Sequence, residues 1–221
     1  MSNRNFLIRS ATRFDYGLIR YGLKNYFWTS EPLSTGWKDQ KVPSLLEFRW
    51  TMTNVMNGLN TISFDPNHYY NFIGFTVNNR WSRKDTMETL KLAKESNDQR
   101  LFAIIGLQKL AEDETDLYNK YNVNEIFSLG NIGVHPEYFG KSLGYQMVLY
   151  SLNRAKRIGF ELAMVNATND YGKRICEKAE MEEIAKIQYS SIIDEDSEDK
   201  KKIFNSSLDD KKVSVFIKKF K

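Results

Sequence analysis

The sequence of 221 residues predicts a single α/β domain, and three observations carry that expectation. Segments of helical periodicity alternate with short apolar strands along the chain. A strand, a glycine-bearing loop and a helix follow one another from Glu125. With 41% hydrophobic residues, a chain of this length can fill one sizeable core. No internal repeat or linker divides it, so residues 1–221 are expected to fold as one unit.

The elements follow in order. Asn5 to Arg9 read as a short strand. Thr12 with Asp15 makes a capping box, in which two side chains satisfy N–H groups that a new helix leaves free. Tyr16, Ile19, Leu23, Tyr26 and Phe27 then recur at helical spacing and define one apolar face. YFWTSEPLSTG ends that helix as a Ser-, Pro- and Gly-bearing loop. A second helix is predicted from Pro43, a residue suited to a first turn, with Leu45, Phe48, Met52, Val55, Met56 and Leu59 along one side.

Thr61 to Phe64 and Ile73 to Val77 read as a hairpin, joined through DPNHYYN, whose Asp, Pro and Asn are turn formers. Residues 82–122 are rich in Leu, Lys, Glu and Ala and suggest two helices parted near Asn97 and Asp98, the first opened by a capping box at Ser82 and Asp85. IFSLGNIGV is an apolar strand. HPEYFGKSLG leads from it into a helix carrying Leu143, Met147, Val148, Leu152 and Ala155 on one face. Phe160 to Val165 form a strand, Tyr171 to Lys178 a short helix and Glu183 to Tyr189 a further strand. The charged run over 191–212 is expected as an extended surface loop, and Val213 to Phe220 as the closing strand. Lys218 and Lys219 there fit the solvated face of an edge strand.

Composition excludes several functions. Lys and Arg number 32 against 28 Asp and Glu, interleaved along most of the chain, so the net +4 makes no broad basic face for a nucleic acid. Cys176 is the only cysteine and His68 and His135 the only histidines, which leaves no disulfide framework and no Cys- or His-based metal centre. MSNRNFLIRS has no apolar core after its arginines, and no apolar run approaches the roughly 18 residues of a membrane span. A soluble, cytoplasmic protein without a metal is expected.

The loop Phe139, Gly140, Lys141, Ser142, Leu143, Gly144 stands between a strand and a helix. Such a turn lets backbone N–H groups at a helix N-terminus converge on an anion, with glycine where the chain must approach it closely and Lys141 adding charge. An ordinary turn that uses glycine for geometry fits the spacing equally well. A P-loop is excluded because it demands glycine where His135 stands, and the dinucleotide fingerprint GxGxxG is absent.

NIGVHPEYFGKSLGYQM resembles the acetyl-CoA motif of the GCN5-related N-acetyltransferases, in which a strand, a loop and a helix hold the pyrophosphate. The likeness extends, in order, through IRSATRFDYGLI, SEPL, VHPEYFGKSLG, NATNDYGKRICEKAEMEE and VSVFIKK to arylalkylamine N-acetyltransferases of the invertebrate, dopamine-acetylating type. It is weak around residues 61–100 and in the acidic run. The resemblance implies a central mixed, mostly antiparallel twisted sheet of about six or seven strands flanked by helices. It also implies acetyl-CoA as cosubstrate, held by Ile132, Gly133, Val134, Phe139, Gly140, Lys141, Ser142, Leu143, Gly144 and Tyr171. Four positions depart from the pattern: Phe139 stands for Arg or Gln, Ser142 for the first motif glycine, Gly172 for a frequent serine, and Cys176 for the Phe or Tyr before Glu-Lys. Ser142 could cap the helix instead.

Glu31 matches the glutamate of the family's EPL motif, which is taken as the general base. A primary amine is mostly protonated at neutral pH and attacks only as the free base, so a base is required. By residue type alone, Glu31 is a loop glutamate before a proline. Tyr26, Phe27, Trp28 and Trp37 could wall an aromatic-amine pocket or simply fill the core, and Phe48 and Trp50 are ambiguous in the same way. His135 is an alternative base or a structural residue, Tyr171 a phenol or a packing aromatic. Cys176 lies in a helix without an evident His partner, against a role as acylated nucleophile. A small-amine acetyltransferase with aromatic amines ahead of polyamines leads. A peptide or protein acetyltransferase and a weakened CoA-binding module are the alternatives.

Overall fold

The computed structural model describes residues 6–35, 43–68, 71–191 and 211–220. The strands are β1 (Leu7–Ser10), β2 (Thr61–Asp65), β3 (Asn71–Trp81), β4 (Ile126–Val134), β5 (Leu162–Ala167), β6 (Glu182–Gln188) and β7 (Lys212–Lys219). They form one sheet in the order β1-β2-β3-β4-β5-β7-β6, in which only β4 and β5 pair in parallel. The helices are α1 (Tyr16–Gly22), α2 (Pro32–Thr35), α3 (Leu45–Val55), α4 (Arg83–Glu95), α5 (Gln99–Thr115), α6 (Leu117–Lys120), α7 (Leu143–Arg157) and α8 (Asp170–Lys178). The expected mixed, mostly antiparallel sheet flanked by helices is the observed one.

Alternation along the central strands builds two cores, one on each face. Leu162 and Met164 of β5 join Val213, Val215 and Ile217 of β7 against Leu101, Ile105 and Leu107 of α5. The intervening Ala163 and Val165, with Phe216, face Val148 and Leu152 of α7 and Ile175 of α8. Both capping boxes form, at Thr12 with Asp15 and at Ser82 with Asp85. The first box is tied to β1, because Arg9 reaches Asp15 with two hydrogen bonds of 2.7 and 2.8 Å.

Some elements differ from their expected form. α3 is capped by Ser44, which accepts the Glu47 N–H at 2.9 Å, so Pro43 precedes the cap instead of opening the helix. β3 extends well past Val77 because its partner β4 is long enough to pair as far as Trp81 with Ile126. After α1 the chain continues as a wider π-turn over Leu23–Phe27, on which Leu23 and Tyr26 are buried. β7 is not an edge strand: it lies between β5 and β6. Lys218 donates to the Ala179 and Glu180 carbonyls at 3.1 and 2.8 Å, and Lys219 stands 4.5 Å from the Tyr121 ring. The charged run lies mostly outside the described residues. Ser191 at its start belongs to a 3-10 turn and Lys212 at its end to β7.

Candidate active site

The site begins with a defect in the sheet. β4 pairs with β3 along its length but with β5 only at Phe127 and Ser128, opposite Ala163 and Met164. Both strands run on, to Val134 and Ala167, so they diverge. Beyond that point the β4 backbone groups that point away from β3 meet no strand, and unpaired backbone groups seek another partner. At the parting the β3–β4 register slips between Val77 and Asn78, which leaves Gly130 as an extra residue on β4.

A cavity of about 530 Å3 occupies the opening, bounded by β4, β5, the start of α8 and the loop before α7. Of the residues expected to hold the cosubstrate, Ile132, Val134, Phe139, Gly140 and Tyr171 line it. The others contribute differently. Leu143 is fully buried in a core with Ile73, Val134, Tyr138 and Met147. A Cβ on Gly133 would lie 2.1 Å from the Phe75 ring, so packing requires that glycine, whereas one on Gly144 would lie 2.9 Å from the terminal Cδ1 of Ile175 and need only a small shift of that side chain. The Lys141 ammonium sits 4.7 Å from the Tyr138 ring and faces a separate cavity.

The loop itself explains its glycine pattern. Gly140 has φ of 73°, in the left-handed region that glycine adopts without strain. Ser142 takes φ of 62°, the same region, which a residue with a side chain rarely adopts. It occupies the N-cap of α7, yet its side chain makes no capping bond, contrary to the capping role expected for it. Its hydroxyl instead meets the Lys178 ammonium at 3.4 Å. The first N–H groups of α7 therefore remain available to an anion, as the first groups of any helix do. The splayed strands and this turn suit a long ligand with an anionic middle.

Glu31 is a buried carboxylate, not a solvated loop residue. It is 6% exposed and sits at the head of the short α2, where its oxygens accept the N–H groups of Leu33 and Ser34 at 2.9 and 2.8 Å and the Ser34 hydroxyl at 3.1 Å. Burial pushes its pKa up, while these bonds and the Thr168 hydroxyl favour the charged form and pull against it. The balance lies above the ordinary glutamate value, which moves the carboxylate towards the range of an effective base at neutral pH.

Glu31 also borders a second cavity, of about 150 Å3, on the α3 and α5 side. Phe27, Trp28, Trp50 and Trp81 line it, and the last two meet edge to face at 5.8 Å. The two cavities share Phe27, Glu31, Leu129, Gly130, Asn166 and Thr168, so Glu31 stands where they join. Glu47 faces the second cavity too, but the buried Arg100 guanidinium binds it at 2.7 Å.

Trp28 packs on Phe48 at 5.9 Å as well as lining the cavity, while Tyr26 lines the first cavity. Trp37 lies outside the described residues. His135 lines the other face with Lys141, away from Glu31, and its Nδ1 accepts the Glu137 N–H at 3.3 Å. Cys176 is fully buried, and burial pushes its thiol up to about 12, far from a reactive thiolate. Sequence reasoning did not single out Trp81, Gln108, Asn166 or Thr168. Only their convergence in space marks them.

No protein-family model and no curated protein matches the chain by sequence. Similar solved structures exist. A mosquito arylalkylamine N-acetyltransferase-like protein, 5b, superposes with a TM-score of 0.87 at 20% identity, covering 98% of this chain and 100% of that one. A polyamine N-acetyltransferase of Drosophila melanogaster, which forms N-acetylagmatine, gives 0.84 at 17% identity over 98% and 100% of the two chains. Arylalkylamine N-acetyltransferase 2 of Aedes aegypti gives 0.83 at 18% identity over the same shares, 98% and 100%. At these identities the likeness speaks for architecture, and together with the splayed β4–β5 pair and the glycine turn it identifies the fold: this chain has the GCN5-related N-acetyltransferase fold in the form found in insect arylalkylamine and polyamine N-acetyltransferases.

Proposed function

We propose that the protein is an acetyl-CoA-dependent N-acetyltransferase acting on a small arylalkylamine by direct transfer. The observation that carries this reading is Glu31, a buried carboxylate at the junction of two cavities of different chemistry. The larger one, with unpaired β4 backbone and the glycine turn, suits acetyl-CoA, which supplies the activated acetyl group. The smaller one suits the amine.

The chain's own groups would divide the work. Glu31 accepts one proton from the amine as the new C–N bond replaces the thioester C–S bond, and CoA would leave as the thiol that takes up the other. N–H groups of β4 near the Gly130 bulge donate to the carbonyl oxygen as it gains charge, a role suited to fixed main-chain donors. The buried, protonated Cys176 argues against an acyl-enzyme. Tyr171, whose phenol is raised by burial, stays protonated on the cavity wall.

An aromatic acceptor is favoured over a polyamine because the smaller cavity is walled by rings, while its second carboxylate, Glu47, is already bound by Arg100. Thiol release with dopamine, tyramine and tryptamine against agmatine, spermidine and short peptides tests this. Aromatic ethylamines are expected to give the highest kcat/KM. A preference for agmatine or peptides would overturn the substrate class, and CoA binding without turnover would overturn the activity.

A further inference from the structure

Behind the smaller cavity lies a chain of buried polar side chains that the proposed transfer does not use. Trp81 Nε1 donates to Thr86 Oγ at 2.8 Å, and Thr86 Oγ donates to Glu112 Oε1 at 2.8 Å. Gln108 Nε2 reaches the same oxygen at 2.9 Å, and Gln108 Oε1 accepts from Asn166 Nδ2 at 2.8 Å. Asn166 Oδ1 is buried and has no hydrogen-bond partner among the described residues. Asn166 lines both cavities beside Glu31.

The direction of every bond follows from donor chemistry. An indole N–H can only donate, so Thr86 receives it and turns its own proton on Glu112. Glu112 Oε1 is thereby an acceptor, which obliges Gln108 to present its NH2 group to it. The Gln108 oxygen must then face Asn166, whose NH2 group fills it. What remains of Asn166 is a buried carbonyl oxygen without a partner, on a residue that borders both cavities. A buried acceptor left open is costly unless a ligand donor completes it. The donor that reaches this junction, on the reading above, is the amine.

We infer that Asn166 is a positioning residue that binds the substrate amine through Oδ1, its amide locked in that orientation by Gln108 and Glu112. Glu31 takes the amine's proton. Asn166 holds a second N–H and so aims the nitrogen lone pair. This rests on the amine acetyltransferase reading.

The test compares tyramine with 4-ethylphenol, which has the same ring and no nitrogen, by calorimetric titration of the full chain in the presence of CoA. Asn166→Ala should weaken tyramine roughly 10- to 100-fold, the range of one hydrogen bond to a charged group. It should weaken 4-ethylphenol and acetyl-CoA much less, since each loses only wall contact where Asn166 borders the cavities and no hydrogen bond to that oxygen. Gln108→Met, which keeps the bulk but frees the amide to turn, should weaken tyramine in the same selective way by a smaller factor. Equal loss for tyramine and 4-ethylphenol, or no loss, in a wild-type background that binds and acetylates tyramine would overturn the inference alone. A wild-type protein that neither binds nor acetylates any amine would overturn the functional reading and the inference together.

Discussion

Glu31 and Ser34 are joined twice, through the Ser34 N–H at 2.8 Å and its hydroxyl at 3.1 Å, both to Glu31 Oε2. The carboxylate that faces the cavity junction is thus also the cap of α2. Its geometry is fixed by the turn it closes.

Glu31→Gln is expected to lower kcat/KM by roughly 100- to 10,000-fold at neutral pH with acetyl-CoA affinity unchanged, the range for loss of a positioned general base. The amide must turn an NH2 group towards Leu33 or Ser34, so the melting temperature should fall too. Because burial raises the Glu31 pKa, the acid limb of wild-type kcat/KM should lie above the ordinary glutamate range and vanish in the variant. The deficit should shrink as pH nears the amine's own pKa. A rate within about twofold of wild type, worth only about 0.4 kcal/mol, removes Glu31 from the chemistry.

CoA and acetyl-CoA are expected to raise the melting temperature while ATP and NAD do not, since a ligand of the folded state alone stabilises by mass action. Gly140→Glu should abolish the shift. A Cβ there meets nothing within 4 Å, so the loss comes from the left-handed backbone, at φ of 73°, and from charge. Gly140→Asn, which tolerates that backbone, should keep most of the shift. Equal shifts with all four ligands would remove the loop from the cofactor site.

Gly172→Ser should fold normally. A Cβ would stand 3.5 Å from Asn169 Oδ1 and 3.6 Å from the Ala167 Cβ, which is ordinary contact, and helix propensity favours serine by up to about 0.5 kcal/mol. Thermal melting checks this. A drop of several degrees would show that the cavity wall here tolerates only glycine.

Asp15→Asn should cost about 1–3 kcal/mol near neutral pH. The Arg9 guanidinium holds the Asp15 carboxyl down at about 2, from an ordinary 3.8, and a depressed acid stabilises the fold above its unfolded pKa. That contribution is lost as pH falls through the folded value. Urea melts at pH 7 and near pH 2 should therefore show the gap between wild type and variant closing at acid pH. A gap independent of pH would assign the cost to packing instead.

What the sequence by itself determined was local. Thr12 with Asp15, Ser82 with Asp85, the turn from Asp65 to His68 and the spacing of Leu143, Met147 and Leu152 fix their elements because each depends on neighbours within a few positions. The strand, glycine turn and helix around Gly140 were legible for the same reason. The tertiary structure decided what depends on distant partners. Whether β7 is an edge or a centre depends on β6 docking beside it, and whether Lys141 meets a ligand or the Tyr138 ring depends on how the loop turns. Glu31 becomes a buried carboxylate only when the chain leaving β5 brings Thr168 to it. The relay from Trp81 to Asn166 joins β3, α4, α5 and β5, so no period or spacing records it. Hydrogen-bond direction is a property of assembled neighbours, and only the folded chain assembles them.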